Sequence, residues 1–227
     1  MKTQSAYVDF QKVPVVGRFR SCLELAQAQD LHGKVIVDIG CSNGLVAYYL
    51  VAQSPQDYIG IDPSAAAIQQ AQASVAGAEF YQGSAGQIPA QDDSADIVLM
   101  FDVIEHVPAG TEIQALKEAY RILKKGGVLL LSTPNAHPLT NLLDPAWFVG
   151  HRHYKPLQIE QFVTHVGFEL VSLEIRGGLW SSLHTLWFYV MKWVFRNPMP
   201  RSRFLEALDD KQFRKSGIYS IFAVCQK

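Results

Sequence analysis

Residues 35–62 limit what this chain can fold into more than any other stretch. An apolar run, VIVDI, meets the turn Gly40-Cys41-Ser42-Asn43-Gly44, a helical pattern follows over about 44–53, and a second apolar run, YIGID, ends at Asp62. Strand, tight turn, helix and strand in that order form a βαβ unit, whose two strands must run parallel because one crossover helix carries the chain back to its starting end. The rest of the chain keeps this rhythm. A helix over 19–30 precedes the unit, and the Ala/Gln-rich helix over 64–76 leads to the weaker strand AEFYQ. ADIVLMF at 95–101 reads as a fourth strand, GGVLLLSTP as a fifth after a helix over 111–124, GFELVSLEI as a sixth after a helix over 157–166, and GIYSIFAVCQK as a seventh. Such alternation predicts an α/β fold, a mostly parallel sheet with helices on both faces.

With 227 residues, 48% of them apolar, and no shift of composition along its length, the chain is expected to form a single domain over 1–227. Its formal charge is -1, with Lys and Arg scattered among Asp and Glu, so no basic face calls for a nucleic-acid partner. Cys22, Cys41 and Cys225 are odd in number and far apart, which argues against a disulfide framework or a zinc knuckle and points to a reducing, cytoplasmic setting. The first residues lack the continuous apolar stretch of a signal peptide. LWSSLHTLWFYVMKWVF comes nearest to a membrane span, but Ser, His, Thr and Lys interrupt it short of the required ~20 apolar residues.

The turn at 40–44 fits two chemistries. As G-x-S-x-G it could present Ser42 as a hydrolase nucleophile, with Asp144 and His151 following in suitable order. That reading wants earlier strands and an upstream oxyanion loop, and the chain has no strand before residue 35. As a nucleotide-binding turn it explains more: the first strand ends near Asp38, Gly40 and Gly44 let the backbone approach a ligand, and Asp62 stands where an acid grips ribose hydroxyls. Asp62-Pro63-Ser64 is also a good helix N-cap sequence. An acid at Asp38 would repel a pyrophosphate, so the expected ligand carries a cation and a ribose rather than a nicotinamide dinucleotide.

VIVDIGCSNG, YIGIDPS, YQGSAGQIP, ADIVLMFDVIEHV and LKKGGVLLLSTPN, in this order, resemble the motif set of class I S-adenosylmethionine-dependent methyltransferases. The resemblance covers about residues 20–135. It implies a Rossmann-like seven-stranded sheet with an antiparallel last strand, and S-adenosylmethionine lying across the carboxyl ends of strands one to four. Carried over by position, the turn from Asp38 through Gly40, Ser42 and Gly44 would border the methionine part, Asp62 with Pro63 would hold the ribose, and Ser84 and Ala85 would border the adenine. Phe101 would lie near the cofactor's amino group, and Arg20 stands where related quinone-pathway O-methyltransferases place an arginine on its carboxylate. Two departures stand out: Ser42 replaces the usual middle glycine, and Ser84 replaces an aspartate often found at the adenine.

Methyl transfer from a sulfonium is an in-line displacement, so catalysis can come mostly from positioning. A hydroxyl acceptor would benefit from a base, for which His106, His151 and His153 are the candidates. Asp102, Glu105 and His106 also resemble a magnesium-binding cluster of some quinone-pathway relatives, a role that is possible but not favoured here. The connection over 176–217 is read as an insertion on the acceptor side. Its helix over 179–195 carries two apolar stripes, Leu179/Leu183/Leu186/Val190/Val194 and Trp180/Trp187/Met191/Phe195, suited to an acceptor lid, a homodimer contact or a peripheral membrane contact. The resulting expectation is a methyltransferase directed at an oxygen of a small or amphiphilic acceptor. The alternative is a non-catalytic binding module whose aromatic insertion recruits a protein or membrane.

Overall fold

A computed structural model describes residues 7–196 and 201–227. The alternating pattern closes into one seven-stranded sheet. To one side of β1 (Val35–Ile39) lie β2 (Asp57–Asp62) and β3 (Glu79–Gln82); to the other lie, in spatial order, β4 (Ala95–Phe101), β5 (Leu123–Pro134), β7 (Ser220–Gln226) and β6 (Glu169–Arg176). Strands β1 to β5 pair in parallel, whereas β7 is antiparallel to both β5 and β6. This is the Rossmann-like sheet with an antiparallel last strand that the motifs imply.

Burial on both faces explains why the central strands β1, β4 and the second half of β5 read as unbroken apolar runs. Ile36, Ile97, Leu99 and Leu130 point into a layer completed by α1 (Gly17–Gln27), α2 (Leu45–Leu50) and α3 (Ala65–Ser74) through Leu23, Ala26, Ala47, Leu50, Ile68 and Ala71. Alternate strand residues, Val37, Ile39, Val98, Met100, Leu129 and Leu131, point the other way. They meet Leu116 and Ile122 of α4 (Glu112–Ile122) and, beyond the short α5 (Pro138–Leu143), Ile159 and Val163 of α6 (Pro156–Val166). Each fully buried aliphatic side chain here contributes about 1.5–3 kcal/mol. Helix ends follow local chemistry: the Ser64 hydroxyl accepts from the Ala67 N–H at 3.2 Å to start α3, and Gly167 at φ +113° ends α6.

The described residues of the stretch over 176–217 hold two helices where the sequence suggested one, α7 (Leu179–Trp193) and α8 (Arg203–Phe213). Because β6 runs parallel to β1, it delivers the chain to the carboxyl end of the sheet, and α7 begins there. No helix among the described residues is long and apolar enough to cross a membrane.

Candidate active site

The turn after β1 is held in a left-handed backbone. Gly40 (φ +75°), Ser42 (φ +49°) and Gly44 (φ +85°) all have positive φ. A Cβ on Gly40 would lie 2.5 Å from Cγ2 of Val103, so only glycine fits there. Ser42 adopts the same region despite its Cβ. Its N–H donates to Oδ2 of Asp62 at 3.0 Å, while the Ser64 N–H donates to Oδ1 at 2.8 Å, so Asp62 ties the turn to the end of β2.

Three adjoining cavities open along the carboxyl ends of the strands. The largest, about 820 Å³, is lined by Gly40, Ser42, Asp62, Pro63, Ser84, Ala85 and, across from them, Val103 and His106. The second, about 570 Å³, lies beyond the turn and is lined by Arg18, Phe101, His151 and one side of α7. A third, of about 550 Å³, joins Arg18, Glu105, His106, His151 and Tyr189. Asp102 borders all three. The structure therefore brings Gly40, Ser42, Asp62, Pro63, Ser84, Ala85, Phe101, His106 and His151 to one continuous space.

Asp38, Gly44, Arg20 and His153 are absent from these cavity walls. Asp38 is buried and accepts from the Tyr58 hydroxyl at 2.7 Å, beneath the turn rather than facing a ligand. Burial pushes its carboxyl up to about 7, against the hydrogen bond from Tyr58. Near neutral pH it carries only part of a negative charge, which weakens the argument that it repels phosphate. Gly44 serves as the N-cap of α2. Arg20 donates to the Val15 carbonyl at 2.8 Å and pairs with Asp210 at 3.0 Å, so it fastens α1 to α8. The arginine of α1 that faces the cavities is Arg18, two residues earlier and so on the opposite side of the helix, with Nε 3.1 Å from Asp102 Oδ2.

The histidines separate by depth. His153 is buried with both ring nitrogens engaged, Nδ1 with Asn141 Oδ1 at 2.7 Å and Nε2 with Asp144 Oδ2 at 3.0 Å, so it has no nitrogen left for an acceptor. His151 turns Nδ1 toward the same Asp144 oxygen at 3.3 Å and lies on the cavity wall. Burial alone would raise the Asp144 carboxyl, but hydrogen bonds involving His151, His153 and the Ala146 N–H outweigh it and hold the group far below the usual carboxylate range. His106 stacks against His151 with ring centroids 4.9 Å apart; burial, then the neighbouring His151, lowers its pKa and favours the neutral ring. Arg152 fixes this pair by donating to the carbonyls of Ile104 and Val107, binding the 103–107 loop to the 151–154 segment.

The Asp102–Glu105–His106 set, a possible but not favoured magnesium cluster in the sequence, does not converge. Asp102 is drawn to Arg18 and to Ser132, whose hydroxyl donates to Oδ1 at 3.1 Å. Instead Glu105, His106 and His151 approach one another, as do Asp144, His151 and His153. These sets are richer in nitrogen than magnesium prefers. Glu105 is buried; its Oε2 accepts from Thr133 at 3.0 Å, while Oε1 has no partner. Burial, then the charge of Asp102, pushes Glu105 up to about 8, so near neutrality it is mostly an uncharged acid.

Sequence reasoning passed over Arg18 and Tyr189. The helical phase of Cys22, Leu23 and Ala26 on α1 could have separated Arg18 from Arg20; nothing in the sequence singles out Tyr189 among its aromatic neighbours. Chemically, the site offers an ion pair, Arg18–Asp102, beside a glycine turn, and an imidazole backed by a carboxylate that can accept a proton.

Residues 37–131 match the family model described as "Methyltransferase domain". Over 139 residues the chain is 30% identical to a "Probable S-adenosylmethionine-dependent methyltransferase" of Mycolicibacterium smegmatis, covering 61% of this chain and 53% of that protein. It is 30% identical over 135 residues to the ubiquinone biosynthesis O-methyltransferase of Roseobacter denitrificans, covering 58% of this chain and 52% of the relative. The chain thus spans about half the length of these curated relatives. Its fold matches the crystal structure of an S-adenosylmethionine dependent methyltransferase from Mesorhizobium loti with a TM-score of 0.65 at 13% identity, covering 96% of this chain and 100% of that one.

Proposed function

The chain carries the domain of the class I S-adenosylmethionine-dependent methyltransferases, and from that premise we propose that it transfers a methyl group to an oxygen of a small or amphiphilic acceptor. The observation that carries this reading is the Asp144–His151–His106 array on the wall of a space that continues to Asp62 and Ser84. The Roseobacter denitrificans relative, an O-methyltransferase by name, points to the same atom type.

S-adenosylmethionine, when bound, supplies an electrophilic methyl on a sulfonium. The residues present suit it: Gly40 leaves room for close backbone approach, and the Arg18–Asp102 pair offers opposite charges to a zwitterionic amino-acid end. Arg18 takes the carboxylate role first expected of Arg20. Asp62, with two of its acceptor positions already used by backbone N–H groups, would hold the ribose, and Ser84 and Ala85 would border the base.

His151 is the proposed base. Asp144 accepts from Nδ1, so the neutral ring keeps its lone pair on Nε2, free to take the acceptor's hydroxyl proton. The bond formed is oxygen to methyl carbon and the bond broken is sulfur to methyl carbon, whose electron pair would return to sulfur to leave the neutral thioether S-adenosylhomocysteine; the proton passes to Nε2, and Asp144 stabilises the resulting imidazolium. His106, held neutral, positions the ring of His151 by stacking. His153 keeps Asp144 in place.

The test is release of S-adenosylhomocysteine from methyl-labelled cofactor incubated with the protein and cell extract, with the labelled acceptor identified by mass spectrometry. His151→Ala should lower turnover by ~10²-fold or more at unchanged cofactor affinity. Full turnover in that variant across pH 6 to 9 refutes the base assignment, and cofactor binding without turnover by any extract favours the non-catalytic module.

A further inference from the structure

Helix α7 inverts the burial expected of a helix in water. Its fully buried residues are Ser181 and Ser182, whereas Leu179, Trp180, Val190 and Trp193 are exposed, and so are Val194 and Phe195 just past its end. The cause lies in the cavity. Ser181, His184, Thr185, Phe188 and Tyr189 line it, so the more polar side of α7 faces inward; Leu183, Leu186, Trp187 and Met191 are half-buried, and Leu179, Trp180, Val190 and Trp193 face out.

This outward face continues on both flanks. Trp180 contacts Phe204 of α8 edge-on, with centroids 6.4 Å apart. On the other flank α5 packs against α7, and the residues that follow α5, Trp147, Phe148 and Val149, are 42%, 62% and 76% exposed. Val149 and Tyr189 line the same chamber as His106 and His151. That chamber thus lies beside the exposed Val149, at one end of the apolar face. Exposed patches of this extent mark a contact surface rather than a solvent face.

Charge selects the occupant. Residues 138–149 and 179–196 contain one carboxylate, Asp144, and it is buried. Lys192 and Arg196 are exposed at the C-terminal end of α7, and neither forms an ion pair among the described residues; Lys192, 5.7 Å from the centre of the Phe188 ring, lies on the same side of the helix as Phe188 and so flanks the apolar face rather than standing within it. A second copy placed on this face by two-fold symmetry would set these cations against their own equivalents with no exposed acid between them. An anionic lipid surface offers apolar depth for the aromatics and negative charge for the cations at once. With 15 residues, α7 extends about 22 Å, too short for a bilayer core of ~30 Å, so it would lie in the interface plane, where tryptophan is favoured.

We propose that the face formed by α7, the start of α8 and residues 147–149 docks on an anionic lipid bilayer, and that the acceptor is a membrane-resident amphiphile whose polar head enters the chamber past Val149 and Tyr189. The docking stands on this surface alone; the identity of the acceptor rests on the methyl-transfer reading above.

Docking is measured without cofactor, by co-sedimentation of the full chain with vesicles of equal parts phosphatidylcholine and phosphatidylglycerol and with phosphatidylcholine alone. The anionic vesicles should bind about thirtyfold more tightly, as two cations near such a surface give. Lys192→Ala with Arg196→Ala should reduce binding to the phosphatidylcholine level, and Trp193→Ser with Phe195→Ser should weaken binding to both vesicles, with far-ultraviolet circular dichroism and cofactor affinity unchanged. Wild-type protein left in the supernatant, or both double variants binding as wild type does, overturns the proposal. A protein of twice the monomer mass that becomes monomeric in Trp193→Ser with Phe195→Ser overturns it in favour of a second copy. Vesicle binding by a protein that never releases S-adenosylhomocysteine would keep the docking and remove the acceptor assignment.

Discussion

Replacing Asp38 with Asn should make the protein more stable at alkaline pH and leave it unchanged at acid pH. Asp38 is 2% exposed, and its one charge-stabilising side-chain contact is the Tyr58 hydroxyl at 2.7 Å. Burial raises its carboxyl from 3.8 to about 7. A group whose folded pKa lies above its unfolded value binds more protons when folded, so the stability it confers is complete below pH ~4 and is lost as pH rises toward 7. Between pH 5 and 8 the carboxyl crosses about two units below its folded pKa, which at 1.36 kcal/mol per unit is about 3 kcal/mol of lost stability. Asn keeps the shape and an oxygen to accept from Tyr58, but cannot ionise. Urea unfolding at pH 5 and pH 8 measures the effect as a difference between wild type and variant, which removes Glu105 and every other titrating group common to both. The gap between the two proteins should open by about 3 kcal/mol in favour of Asp38→Asn on going from pH 5 to pH 8. A gap that stays constant would mean that the Asp38 charge is solvated or paired, and the picture of an acid buried beneath the turn would fail. An Asn variant unfolded at pH 5 would refute the picture too, since there the native carboxyl is itself mostly protonated.

Arg18→Ala should weaken S-adenosylmethionine binding by roughly ten- to a hundredfold in calorimetry, the loss of a charged hydrogen bond. Arg20→Ala should instead leave affinity intact and lower stability by up to about 1 kcal/mol through its partly exposed pair with Asp210; the reverse ranking would restore Arg20 to the site. Ser42→Gly relieves a left-handed backbone penalty of about 1–2 kcal/mol against the extra entropy a glycine loses on folding, about 0.5–1 kcal/mol. Its Tm should rise by a few degrees at about 2–4 °C per kcal/mol with cofactor affinity retained, and a fall in Tm would show that Ser42 makes a contact of its own.

The central strands were legible because both of their faces are buried. Runs such as VIVDI and ADIVLMF supply Ile36 and Leu99 to one layer and Val37 and Met100 to the other, so nearly every residue must be apolar. What the sequence hid lies where contacts are polar or cross-strand. Asp38 looked ligand-facing because it adjoins the glycine turn, yet its environment is set by Tyr58 from the neighbouring strand, a partner that only the register of β1 on β2 reveals. The helix α8 carries no apolar stripe for periodicity to find, since its buried positions include Glu206 and Asp209 and it meets α1 through polar contacts such as Gly17 N–H to Asp210 at 2.9 Å.

The same blindness affects α7, and there it carries the functional lesson. Periodicity picks out two apolar stripes and assigns one of them to the protein interior, on the rule that a helix buries its apolar side. The rule assumes that the interior is apolar. Here the space behind α7 is bordered by Asp144, His151 and Asp209, all of which need polar company, so Ser181, His184 and Thr185 turn inward; His184 Nδ1 lies 3.3 Å from Asp209, and Thr185 pairs with the Tyr219 hydroxyl at 2.6 Å. Leu179, Trp180 and Trp193 are then left outside by the demands of the site itself, while Leu183, Leu186 and Trp187 are half-buried. A helix whose polar side serves a cavity and whose apolar side is covered only in part by α5 and α8 needs the rest of that cover from elsewhere, and the exposed cations at its end favour a surface of negative charge.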